Sequence, residues 1–163
     1  MTRSLLKWPD KRLKISAEPV QAITPDIIEI WDEMIAVMEA MPGYGLAAPQ
    51  IGVLQRLIVV DASAKRGEVI RMANPEILHA SVELREHEEA SPNLPGVSAK
   101  IKRPRALTVR FLNADGVVDR KELVGLWATS VQHQIDHLNG KLYIDRLSKM
   151  KRDMILRRAR KLA

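Results

Sequence analysis

Residues 105–123, "RALTVRFLNADGVVDRKEL", alternate apolar and polar side chains on both sides of Asn113-Ala114-Asp115-Gly116. Alternation is the period of a half-buried strand, and Asn, Asp and Gly tolerate the backbone angles of a tight reversal. The stretch therefore predicts a β-hairpin, which commits the chain to antiparallel pairing. "QRLIVVDAS" (55–63) and "EVIRMANPEIL" (68–78) add short β segments, separated by a polar turn around Lys65-Arg66-Gly67.

Helical signals flank these strands on both sides. In "ITPDIIEIWDEMIAVMEAMPG" (23–43), Thr24 is placed to cap a helix and Pro25 to occupy its first position. Apolar residues then recur at Ile27, Trp31, Met34, Ile35 and Met38, so this face is expected in the core and the helix stops before Pro42-Gly43. A second helix is predicted from about Gly125 to Leu138, with Asn139-Gly140 as its stop, and a third, basic helix closes the chain. No internal repeat, linker or low-complexity segment interrupts the 163 residues, which read as one α+β domain. That length buries a core without cross-links, and the absence of cysteine excludes disulfides, thiolate metal sites and cysteine nucleophiles.

Three stretches carry residues suited to chemistry. "VQHQIDHLNG" (131–140) sets His133 and His137 four apart, which projects both imidazoles from one helix face, as in zinc hydrolases. Those enzymes follow the first histidine with a glutamate that moves protons; here it is Gln134. Asp136 either accepts a ring N–H from a neighbouring ligand or pairs with a basic side chain. In "GYGLAAPQIG" (43–52), glycines around Ala47 and Ala48 let the backbone approach another segment closely, and Gln50 offers an amide donor for an oxyanion. The third, "EEASPNLPGVSAKIKRP" (88–104), reads as a rigid irregular loop leading into a strand.

In this order the three stretches resemble the signature motifs of the peptide deformylases, bacterial and organellar enzymes that remove the formyl group from the formyl-methionine of nascent chains. The family's first motif, G-x-G-L-A-A-x-Q, is matched from Gly43 to Gln50. The resemblance implies an α+β deformylase-like fold, mixed antiparallel sheets around a central helix carrying H-x-x-x-H, with a C-terminal helix. It implies catalytic positions at Gln50 and Gln134, metal positions at Ser91, His133 and His137, and substrate contacts at Gly43, Tyr44, Gly45, Leu46, Pro92 and Asn93.

The departures from the family pattern fall on its chemistry. Where the family's second motif reads E-G-C-L-S, this chain has Glu89-Ala90-Ser91-Pro92-Asn93. Ser91 replaces a thiolate ligand with a hydroxyl of far weaker metal affinity. Pro92 lacks the backbone N–H that the family contributes to its oxyanion hole. Gln134 cannot exchange a proton near neutral pH. A divalent ion such as Fe, Ni or Zn is thus expected to bind weakly or not at all, and deformylation to be lost or very weak. The alternative is a working metal-dependent deformylase in which His87, Glu88 or Glu89 completes a rebuilt His₃ or His₂-carboxylate site.

Charge is concentrated at one end. Residues 146–163 hold eight of the 26 Lys/Arg and one of the 20 Asp/Glu, which leaves 18 basic against 19 acidic groups elsewhere. Leu147, Met150, Met154 and Leu162 are expected to pack inward, leaving Lys151, Arg152, Arg157, Arg158, Arg160 and Lys161 solvated. Such a segment suits a polyanion such as RNA, and the resemblance implies docking on the ribosome through it. With no apolar run long enough for a signal peptide or a membrane span, the expectation is a cytoplasmic protein that meets nascent polypeptide N-termini and neither membrane nor DNA.

Overall fold

The computed structural model describes residues 3–162. Its elements run, in chain order, α1 (Pro25–Ala40), β1 (Gly45–Ala47), β2 (Leu57–Val60), β3 (Ile70–Ala80), β4 (Leu84–Ser91), β5 (Leu94–Pro104), β6 (Ala106–Leu112), β7 (Val118–Val124), α2 (Leu126–Leu138) and α3 (Lys149–Leu162). β1, β2, β3, β6 and β7 form an antiparallel sheet in that order, and β4 and β5 form a separate two-stranded ribbon.

The hairpin predicted at 105–123 is β6–β7, paired from Ala106↔Val124 to Leu112↔Val118. Its inward phase, Leu107, Val109 and Phe111, joins Ile58, Val60 and Met72 beneath α2. On the opposite face, Leu57 and Val59 pack with Ile27, Trp31, Met34 and Met38 of α1. The run Leu57-Ile58-Val59-Val60 is apolar throughout because β2 is covered on both sides. Thr24 caps α1, its Oγ1 accepting from the Ile27 N–H at 3.4 Å. Pro75 sits where the β3–β6 pairing shifts register between Ala73 and Glu76, so its missing N–H breaks no continuous ladder.

Two expectations need correction. Residues 88–104 are not an irregular loop: Glu88–Ser91 end β4, Leu94–Pro104 form β5, and Pro92-Asn93 make the tight turn between them. Proline is accommodated because it stands at the turn, outside the ladder. The inward face of the C-terminal helix also differs. Met150 and Met154 are exposed, Leu162 is only partly covered with its Cδ1 over Gly96, and Ile155, Leu156 and buried Ala159 face Leu94, Val97 and Ile101 of β5, with Leu147 and Tyr143 alongside.

Candidate functional site

α2 passes through the middle of the molecule, with every residue from Ala128 to Leu138 buried. Seven of those eleven are polar or charged, an unusual content for a buried helix. Gly125 (φ 62°) turns β7 into this helix, and at its far end Gly140 lies so close to the Lys14 carbonyl that a Cβ would sit 2.5 Å from its oxygen. β1 crosses the N-terminal half of α2 at Gly45, where a Cβ would lie 2.6 Å from Ser130 Oγ and 2.8 Å from Gln134 Nε2. Only glycine permits this approach. The Ser130 hydroxyl fastens the contact by donating to the Tyr44 carbonyl at 2.9 Å.

Between α2, the Gly43–Gly45 segment and the tip of the β4–β5 ribbon lies a cavity of about 520 Å³. Gln50, Ser91, Pro92, His133 and Gln134 all line it. His133 and His137 have ring centroids 5.0 Å apart, and Tyr143 stacks on His133 at 5.9 Å. Gln50 Nε2 donates to Asn93 Oδ1 at 2.6 Å while its Oε1 accepts from the Ala47 N–H at 2.8 Å. The Asn93 amide in turn donates to the Leu6 and Gln50 carbonyls, tying the ribbon turn to the N-terminal segment.

Beneath the cavity lies an ion-pair network that connects four elements. Arg103, wholly buried on β5, donates to both Glu89 oxygens at 2.6 and 2.8 Å and to Asp136 Oδ2 at 2.9 Å. Arg146 closes the far side with two bonds to Asp136 at 2.8 Å. Of the two roles open to Asp136, the structure shows pairing with basic side chains. Glu89 also holds His133 Nδ1 at 2.8 Å, which leaves Nε2 as that ring's free nitrogen. Burial pushes the Glu89 carboxyl up, but the Arg103 and His133 bonds outweigh it and hold it at about 2. Burial, reinforced by His133 and Arg103, holds His137 well below the ordinary imidazole range, so this ring is neutral at pH 7. Neither His137 nitrogen, nor Gln134 Oε1, has a hydrogen-bond partner among the described residues.

Sequence reasoning missed Arg103 and Arg146. Arg103 had a readable signal: it lies on the same phase of β5 as buried Val97 and Ile101, and an arginine on an inward phase requires buried counter-charges. Reading the segment as a loop concealed that phase.

A metal ion held by this chain would have to use what stands here. The unpartnered His137 nitrogens and the free Nε2 of His133 offer two imidazole donors. At the third position, Ser91 Oγ lies 3.2 Å from Asn93 Oδ1 and 3.3 Å from the Asn93 N–H, committed as a neutral hydroxyl to the ribbon turn. The Glu89 oxygens are occupied by Arg103 and by the opposite nitrogen of His133, and the Glu88 carboxylate accepts from Ser98 Oγ at 2.9 Å. Among the described residues no three His, Cys, Asp or Glu side chains gather as a metal site. Two imidazoles and a bonded hydroxyl do not fit an ion that needs three strong protein ligands.

A sheet flanked by two helices, with a paired-histidine helix beneath a ribbon turn, is the architecture of a hydrolase family. The family model described as polypeptide deformylase matches residues 2–153. A peptide deformylase of Rhodopseudomonas palustris is 39% identical, covering 99% of this chain and 92% of its own length. One from Afipia carboxidovorans is 41% identical over 99% and 95%. The crystal structure of peptide deformylase from Ehrlichia chaffeensis superposes with a TM-score of 0.92 at 31% identity, covering 99% of this chain and 96% of that one. This chain belongs to the polypeptide deformylase family, whose members are metal-dependent hydrolases acting on the N-termini of nascent polypeptides.

Proposed function

We propose that this protein keeps the family's cleft for N-terminal (formyl-)methionyl peptides of nascent chains but deformylates them very weakly or not at all. The observation that carries this reading is Ser91: its hydroxyl is bonded into the ribbon turn, and no third ligating side chain gathers with His133 and His137 among the described residues, although His87 lines the same cavity. Pro92 and Gln134 remove an oxyanion donor and a proton carrier from the same wall of the cavity. Binding of a peptide is supported by β1, an edge strand beside the cavity to which an extended chain can add. The expected divalent ion is weakly held or absent. The test is metal analysis after dialysis against EDTA, with a formyl-Met-peptide assay in added Ni²⁺, Fe²⁺ or Zn²⁺. Stoichiometric metal and rapid turnover would overturn the reading.

A second reading, an active deformylase with a rebuilt site, draws support from the two unpartnered nitrogens of buried His137. Its proposed completion by Glu89 is disfavoured, because that carboxylate is already shared between Arg103 and His133. The exposed cations Lys151, Arg157, Arg158 and Lys161 on α3 support a polyanionic partner such as ribosomal RNA. No helix among the described residues is long and apolar enough to cross a membrane, in keeping with the cytoplasmic setting proposed for a protein that meets nascent chains.

A further inference from the structure

The five-stranded sheet ends on β1, beside the cavity, and on β7 at the opposite edge. The Asn113 N–H donates to the Val117 carbonyl and the Gly125 N–H to the Arg105 carbonyl, each at 2.9 Å, and between these bonds β6 and β7 pair without a register shift. Hydrogen-bonded and non-bonded pairs alternate along an antiparallel ladder. Asp119, Lys121 and Leu123 therefore bond to β6, while the N–H and C=O groups of Val118, Arg120, Glu122 and Val124 point away from it. The Arg120 N–H accordingly meets no strand and donates to the Asp119 carboxylate at 2.8 Å.

The side chains of those four residues share one exposed face, with Val118 and Val124 at 63% and 65% of full exposure. Arg120 stands directly opposite Arg110, whose own partner is Glu76, and Glu122 stands opposite Thr108. The Arg120 and Glu122 charges are thus unanswered within β6, and like charges directly opposite are unfavourable. We infer that the β7 edge is an interface for a second copy of this chain, the two β7 strands pairing antiparallel about a two-fold axis at Lys121. The hydrogen-bonding phase requires outward-facing residues to meet one another, and Lys121 is the midpoint of Val118–Val124, so this axis pairs the whole strand. Arg120 of each copy then meets Glu122 of the other, and Val118 meets Val124. Lys121 faces its own copy, with Asp119 of the second copy on the diagonal to offset the repulsion. Moving the axis to Arg120 or Glu122 would set that charge against itself and shorten the overlap. The pairing joins two five-stranded sheets into one and satisfies the free backbone groups of both edges.

A single strand pair is a small interface, so the association is weak and depends on concentration. Sedimentation velocity on the full chain at low salt, from about 10 µM to about 1 mM, covers the range in which such an interface forms. The expected result is an average mass that rises from monomer toward dimer and no further. Glu122→Arg replaces two attractive pairs with two repulsive ones and should raise the dissociation constant at least about tenfold. Arg120→Glu/Glu122→Arg exchanges the charges, keeps the pairs complementary, and should restore the dimer. A chain that stays monomeric throughout overturns the inference. So does self-association that is unchanged in Glu122→Arg, which would place the contact elsewhere, or growth beyond a dimer, which a closed two-fold pairing does not permit. Association lost in Glu122→Arg and not restored by the exchange overturns the register about Lys121.

Discussion

Glu89 shows how one residue couples the site to stability. Its carboxyl is held at about 2, against 4.5 for an ordinary glutamate. Because the folded value is depressed, the stabilisation is fully present above about pH 4.5 and is lost as pH falls toward 2. The difference corresponds to about 3 kcal/mol. His137 acts in the same direction at higher pH: the unfolded chain protonates this ring near 6.5 while burial keeps the folded one neutral, so acidification below that point favours unfolding. Urea midpoints measured from pH 8 to pH 3 should fall in two stages, first below about 6.5 and again below about 4.5. Midpoints that stay constant across this range would contradict the network geometry. Gly45 is a steric counterpart. Gly45→Ala forces its new methyl against Ser130 and Gln134, and such overpacking costs about 1–3 kcal/mol, which thermal melting would register as a lower midpoint.

Among the elements, the β4–β5 ribbon depends most on a single side chain. Arg103 is the common partner of Glu89 and Asp136, and Arg103→Met leaves the buried Glu89 carboxylate with His133 alone, since only Asp136 keeps a second guanidinium in Arg146. Removing one member of a buried pair typically costs about 3–5 kcal/mol. A loss under about 1 kcal/mol by urea denaturation would mean that water reaches these carboxylates. The same ribbon marks the limit of what the sequence made legible. α1 and the β6–β7 hairpin were readable because one period governs each and their turn and capping residues agree with it. At 88–104, three prolines and a glycine obscured a period-2 phase that places Glu89, Ser91, Val97, Ile101 and Arg103 inward. The His133/His137 pair was readable from its spacing. Its partners were not, because Glu89, Arg103 and Tyr143 arrive from distant elements that only the fold brings together. On α3, Met150 and Met154 were misplaced for a related reason: two apolar stripes compete, Leu147/Met150/Met154 and Ile155/Leu156/Ala159, and contact with β5 selects the second.

At the scale of the whole molecule, the C-terminal helix has two separable roles. Ile155, Leu156 and Ala159 cover β5, and Arg160 lies 5.3 Å over the Trp8 ring, so truncation at Ser148 should lower the melting temperature. Reversing only the exposed charges, Arg157→Glu, Arg158→Glu and Lys161→Glu, should leave the fold intact but abolish salt-sensitive co-sedimentation with ribosomes. Co-sedimentation that is indifferent to these reversals would remove the case for a ribosomal partner. The proposed loss of deformylation in an intact family frame is tested most directly by repairing Ser91, Pro92 and Gln134. The measurement is the initial rate of formyl-Met-Ala-Ser hydrolysis, in added Ni²⁺, for the native chain, for Ser91→Cys/Gln134→Glu, and for that pair combined with Pro92→Leu. The loss of an oxyanion donor typically costs about 10²–10³ and of a general base about 10²–10⁴, with imperfect additivity. The native rate is expected to lie at least about 10⁴-fold below that of the triple variant, with Pro92→Leu contributing about 10²-fold of it. A native chain within tenfold of the triple variant, on the order of 1 kcal/mol in barrier, would contradict it.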